Sequence, residues 1–179
     1  NIASFKYDID YKCKWTRFRT EVSVSNEFDV VYLIDATGSM NQEITYAKEK
    51  AEKIAEELSK KYPETNFNFG AVFYRDKIDS PSDKTDIFPL TNNIEKLRND
   101  MTHVKAYGGG DEPEDWVEGY KMAINNMAWR EGTKLIIHFA DAGAHGIIFS
   151  KGDIHSEQEP LLPPLIKKCV DENNRNYWI

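Results

Sequence analysis

Residues 29–40, DVVYLIDATGSM, decide how the rest of the chain is read. Val30 to Ile34 form an apolar run without polar alternation, the pattern of a strand covered on both faces of a parallel sheet. The run stops at Asp35, and Asp35, Thr37 and Ser39 then alternate with Ala36 and Gly38. In an extended loop, every second side chain points the same way. One short loop can thus offer a carboxylate and two hydroxyls to a single point. Asp and Ser at such a turn also cap helices, so the triplet alone leaves both readings open.

Outward from this stretch, the chain alternates strand and helix patterns. Ile44, Ala47, Ala51, Ile54, Ala55 and Leu58 recur at helical spacing and predict a helix over 43–62, closed by Pro63. Strands are predicted over 67–74 and 86–90, and a helix over 92–101 carrying Ile94, Leu97 and Met101. The glycines Gly108 to Gly110 precede a helix predicted over 113–129, with Pro113, Glu114 and Asp115 in its first turn. A strand over 135–140, a polar loop with Gly143, Gly146 and Gly152, a helix over 161–172 and the start of a strand at Tyr177 complete the series. Such alternation predicts an α/β fold, a doubly wound and mainly parallel sheet with helices on both faces. Its binding crevice lies outside the carboxyl ends of the strands. Three loops then share one rim: 35–40, 108–115 and 141–146.

Residues 1–26 differ. Phe5, Tyr7, Ile9, Tyr11, Cys13 and Trp15 are apolar at every second position, which predicts an N-terminal β-hairpin or extension. The chain begins with Asn1 rather than Met, which fits a processed chain or a fragment of a longer one.

Bulk composition narrows the function classes. The 179 residues are 40% hydrophobic and 30% charged, enough for one domain with a sizeable core. No apolar run reaches the ~20 residues of a membrane span, and no signal peptide is visible. The net charge of −7 disfavours nucleic acid and anionic membrane, and leaves metal cations and basic protein surfaces open. Cys13 and Cys169 are far apart and read as reduced thiols. They favour a cytoplasmic setting, with an extracellular one left open.

Each rim loop carries oxygen donors: Asp35, Thr37 and Ser39 on the first, Asp111 on the second, Asp141 on the third. Carboxylates, hydroxyls and water suit magnesium, manganese or calcium. Taken singly, Asp111 and Asp141 read as solvated turn residues. Their shared place on one rim favours a metal.

DVVYLIDATGSM, together with GAVFYRD, GGGDEPEDWVEGY and KLIIHFADAGAHG in this order, resembles von Willebrand factor A domains from Phe28 to the C-terminus. It is most similar to the subgroup linked to alpha-kinases. The resemblance implies a Rossmann-like domain over 27–179 with a metal-ion-dependent adhesion site. Carried over by position, Asp35, Thr37 and Ser39 are first-loop ligands, Asp111 takes the place of the usual second-loop Thr, and Asp141 is the third-loop Asp. Thr37 replaces the more usual Ser. Asp111 adds a third carboxylate, which implies tighter metal binding and a less electrophilic ion. The family usually continues with one more strand and helix beyond NYWI, so the expectation is either a truncated chain or a sheet completed by a partner or a neighbouring segment, the N-terminal extension or another chain pairing with the edge.

Gly38, Gly110, Arg75, Asp76 and His145 are expected just behind the ligands, supporting them or touching a partner. Arg75 and Asp76 would brace the rim through a charge-assisted hydrogen bond, with plain surface solvation as the alternative. His138, His145 and His155, with Asp141 and Asp153, invite a zinc or hydrolase reading. His138 falls inside an apolar strand and reads as core or as a support behind the ligands. Trp116, Tyr120 and Trp129 read as core, and the acidic run 111–115 reads equally as a charged helix start. No nucleotide loop, nucleophile elbow or Cys/His pair is present. The expectation is a non-enzymatic module that binds a protein partner through a divalent cation and an acidic side chain. A structural subunit with a vestigial metal site and a metal-assisted phosphatase are the alternatives.

Overall fold

The computed structural model describes residues 26–78, 81–170 and 176–178. The expected N-terminal β extension lies outside the described residues. The elements are β1 (Glu27–Asp35), α1 (Glu43–Lys61), β2 (Asn66–Tyr74), β3 (Asp86–Thr91), α2 (Ile94–Thr102), α3 (Trp116–Asn125), β4 (Thr133–Phe139), α4 (Leu162–Val170) and β5 (Asn176–Trp178). They form one five-stranded sheet in the order β3-β2-β1-β4-β5. β1 pairs in parallel with β2 and β4, β4 in parallel with β5, and β3 runs antiparallel to β2. This is the doubly wound, mainly parallel sheet that the sequence predicts.

β1 is central because both its faces are apolar. Val30, Tyr32 and Ile34 face Ile44, Ala47, Ala51 and Ala55 of α1 and Leu97 and Met101 of α2. Val31 and Leu33 face the other way, toward Val117, Tyr120 and Ala123 of α3 and Leu162 and Cys169 of α4. Each large apolar side chain so buried contributes about 1.5–3 kcal/mol. The alanines of α1 recur every fourth residue, so the helix meets the sheet with a smooth face. Below the opposite end of β1, Arg130 clasps buried Asp29 through its backbone N and Nε, both at 2.7 Å.

Two departures from the sequence reading matter for the rim. First, α3 begins at Trp116 rather than Pro113, because Asp115 is its N-cap and accepts from Glu118 N at 2.9 Å. It ends at Asn125, before Trp129, whose Nε1 donates to Ala123 O. Second, the loop after β1 is not extended throughout. Thr37 is extended (φ −70°, ψ 169°), and Gly38–Asn41 then close into a short 3₁₀ turn. β5 adds a strand at Asn176–Trp178 where a strand start was expected at Tyr177.

α3 lies against the sheet at Gly119. A Cβ there would meet the Tyr74 ring at 2.9 Å and Leu33 Cδ1 at 3.2 Å. Helix propensity alone makes Gly119→Ala stabilising by about 1 kcal/mol, whereas overpacking costs about 1–3 kcal/mol. The expected net effect is destabilisation, read as a lower urea midpoint. A raised midpoint would show that α3 can lift from Tyr74 without cost.

Candidate metal centre

β1 ends in Asp35, whose residue surface is 0% exposed. The chain then turns, and Thr37 donates to Asp35 Oδ1 through both its backbone N (2.9 Å) and Oγ1 (2.7 Å). Thr37 Oγ1 is 3.2 Å from Ser39 Oγ, and Ser39 Oγ donates to Asp141 Oδ1 at 3.2 Å. The alternating triplet therefore does converge, although a 3₁₀ turn rather than an extended strand carries its last member.

The three loops are stitched by backbone bonds. Gly38 N donates to Gly108 O (2.9 Å) and Tyr107 N to Ala36 O (3.0 Å), joining the first two. Gly108 and Gly109 have positive φ of 77° and 84°, which glycine adopts without steric cost. These contacts run through Tyr107 and Gly108 rather than the anticipated Gly110. Glu114 N donates to Gly143 O (2.9 Å) and His145 N to Glu114 O (3.3 Å), joining the second loop to the third.

The stitching brings in Glu114, which sequence reasoning missed. Only 2% of it is exposed. Its carboxylate flanks Gly109 beside Thr37, since a Cβ at Gly109 would lie 3.4 Å from Glu114 Oε1 and 3.4 Å from Thr37 Cβ. Glu114 Oε2 is buried without a hydrogen-bond partner. Burial, reinforced by the Asp35, Asp76 and Asp141 carboxylates, pushes Glu114 up to about 8, against a hydrogen bond with Thr37 that pulls it down. Burial also raises Asp35, with Asp141 adding to the shift and hydrogen bonds to Thr37 and Tyr74 opposing it. Among the described residues, no lysine, arginine or histidine pairs with Asp35, Glu114 or Asp141. A signal for Glu114 existed in the sequence. Asp115 and Glu118 have capping-box spacing, which starts the helix after Glu114 and leaves that residue in the loop.

Asp111 falls elsewhere. It is exposed and groups with Asp76 and His145, their ligand atoms within 4.8 Å of one another. Asp35, Glu114 and Asp141 form a looser set, spanned by the two hydroxyls. The expected Arg75–Asp76 brace is not formed as a pair. Buried Arg75 instead bonds Asp86 Oδ2 (2.9 Å) and Lys105 O (2.9 Å), and its guanidinium lies 4.0 Å from the Tyr107 ring centroid. Asp76 Oδ1 accepts from Ile78 N (3.0 Å) and faces His145 Nε2 (3.3 Å). The two residues, which follow the end of β2, brace the rim separately, each through its own partners.

A third support comes through Tyr74. Its hydroxyl lies 3.4 Å from Asp35 Oδ2 and 2.9 Å from His138 Nε2, and Tyr120 OH is 3.4 Å from His138 Nδ1. Burial pulls the His138 imidazole down to about 3, so the ring is neutral and carries one N–H. With Tyr120 donating to Nδ1 and Nε2–H donating to Tyr74, the Tyr74 hydroxyl is left to donate to Asp35. His138 thus acts behind the first rim loop, the supporting role that the sequence offers beside a core one.

The rim makes stability depend on pH. Glu114 has its proton favoured in the fold, at about 8 against 4.5. Burial works against charge on His145, yet its bonds to Asp76 and Asp153 raise it to about 9 from 6.5. In both cases the folded state holds more protons than the unfolded one, so stability falls as pH rises. The loss begins near 4.5 for Glu114 and near 6.5 for His145, and is complete once pH passes about 8 and about 9. In chelator, calorimetric Tm is expected to fall between pH 6 and 9. A Tm that rises over that window would contradict this account.

Comparison with known proteins supplies the family. Residues 29–151 match the profile of the von Willebrand factor A domain. Alpha-protein kinase vwkA of Dictyostelium discoideum is 32% identical over 162 residues, covering 88% of this chain and 26% of that protein. Integrin beta-6 of Homo sapiens is 25% identical over 144 residues, covering 65% of this chain and 18% of that protein. The chain thus spans about a quarter or less of these curated relatives. Among solved structures, proximal thread matrix protein 1 from the mussel byssus has a TM-score of 0.54 at 18% identity, covering 80% of this chain and 35% of that one. The pilus adhesin SpaC from Lactobacillus rhamnosus GG has a TM-score of 0.52 at 13% identity, covering 69% and 16%. Both likenesses concern the fold alone. With more than half its length matched, the chain belongs to the von Willebrand factor A domain family, and is related to the domains that accompany alpha-kinases.

Proposed function

We propose that this chain is a protein-binding module whose rim holds one divalent cation, magnesium first and manganese or calcium in its place. The observation that carries this reading is Glu114 Oε2, buried without a partner among three carboxylates that have no basic counter-ion among the described residues. An unsatisfied buried polar atom costs about 1–3 kcal/mol, and a hard cation removes that cost for oxygen donors. Asp35, Thr37 and Ser39 are the first-loop ligands and Asp141 the third-loop ligand, directly or through water. Glu114 takes the second-loop place that spacing assigned to Asp111.

Three carboxylates against a doubly charged ion hold it tightly and leave it weakly electrophilic. A partner's Asp or Glu completes the coordination, with water in its place when no partner is bound. The similarity to integrin beta-6 supports an adhesive or scaffolding use, and the length of the curated relatives supports a place within a larger protein.

Magnesium at about 100 times its Kd is expected to stabilise the fold by about 2.7 kcal/mol, seen as a Tm increase. Glu114→Gln should remove most of that increase and weaken magnesium at least about tenfold by calorimetry, as losing a ligand outweighs losing a support. Asp111→Ala should leave magnesium affinity nearly unchanged. The reverse ranking of the two variants would return the second-loop role to Asp111, and no effect from either would remove the cation from this rim.

A further inference from the structure

A second cluster lies beyond these ligands, in the loop that follows the third rim turn. His145, Asp153 and His155 each offer a ligand atom, and the three atoms lie within 4.8 Å of one another. The His145 and Asp153 side chains are 1% and 0% exposed, and that of His155 is 18% exposed. His138, grouped with them in the sequence reading, is on β4 among Tyr74 and Tyr120 and does not join them.

We propose that His145, Asp153 and His155 form a zinc site, separate from the magnesium rim, with a fourth position open to water. The argument is geometric. His145 Nδ1 is 3.3 Å from both Asp153 oxygens. Two ligands on a tetrahedral zinc, each bonded at about 2.0–2.1 Å, stand about 3.3 Å apart.

The supporting groups agree. A zinc-bound histidine typically has its other ring nitrogen held by a carboxylate or carbonyl. His145 Nε2 faces Asp76 Oδ1 at 3.3 Å, and His155 Nδ1 faces Glu157 Oε1 at 3.0 Å. These contacts leave Nδ1 of His145 facing the metal, with a ring nitrogen of His155 within 4.8 Å of it. Asp153 is held as a ligand should be. A carboxylate has about four lone-pair sites, and three backbone amides, from Gly146, Ile154 and His155, donate to Asp153. One site is left for a single cation bond. Two imidazoles and one carboxylate suit zinc better than magnesium or calcium. Zinc takes the place of the His145 Nδ1 proton, which leaves to solvent, and closes the 145–155 loop. That loop exposes Ile147, Ile148 and Ile154 at 57%, 68% and 79%.

The test uses the full chain, stripped of metal and then saturated with magnesium. Calorimetric titration with zinc is expected to give one zinc per chain, with His155→Ala weakening it at least about tenfold and Asp35→Ala leaving it intact. Zinc X-ray absorption of the unmutated chain should show two imidazoles, and the cobalt-substituted form should show the strong visible bands of a tetrahedral ion. No zinc bound by the unmutated chain, equal zinc affinity in His155→Ala, or zinc lost on Asp35→Ala would each overturn the proposal. So would a spectrum lacking imidazole, which needs no variant to fold. The magnesium rim can fail its own test without touching this result.

Discussion

A carboxylate with no exposed surface ends the most buried strand of this sheet. Burying charge without a counter-charge is costly, and Asp35 receives only neutral donors, from Thr37 and Tyr74. β1 cannot relieve the cost by shifting. A one-residue slip would exchange its two apolar faces, each packed on a different helix pair. The deficit is passed outward, to a second buried carboxyl on Glu114 and an exposed one on Asp141. The rest of the rim serves to hold these groups together while they repel.

That holding is done by backbone and neutral side chains. Glycines let the first two loops touch main chain to main chain. Arg75 carries the largest buried positive charge near the site, yet spends it on Asp86, Lys105 O and the Tyr107 ring. It fixes the segment whose Tyr107 N bonds Ala36 O, and leaves the rim's negative charge unneutralised. Tyr74 and His138 orient Asp35 without adding charge. A basic residue in any of these positions would satisfy the site and close it to a cation.

The architecture was readable from the sequence because it rests on periodicity. The continuous run of Val30 to Ile34 marks a strand covered twice, and the 43–62 spacing marks α1 to within a residue. The convergence of the first-loop triplet with Asp141 on one rim was legible from spacing and resemblance. Glu114 was not, because five consecutive residues, 111–115, include four carboxylates of identical local appearance. Only the start of α3 separates them. Asp115 turns back to cap the helix, Glu114 is driven inward by its ladder with Gly143 and His145, and Asp111 stays exposed beside Asp76 and His145. The Tyr74–His138–Tyr120 chain joins β2, β4 and α3, and such a link leaves no trace in local spacing.

The adjacency of Glu114 and Asp115 has a mechanical consequence. One side chain reaches into the rim, and the next caps a helix by accepting from the amide of its third residue, Glu118. The peptide between them is planar and stiff. Gly119, one turn further on, is seated on the Tyr74 ring, so the helix start cannot yield freely. Occupancy of the rim and the pose of α3 are thus geared through a single peptide plane, with Tyr74 as the bearing on which that gear turns.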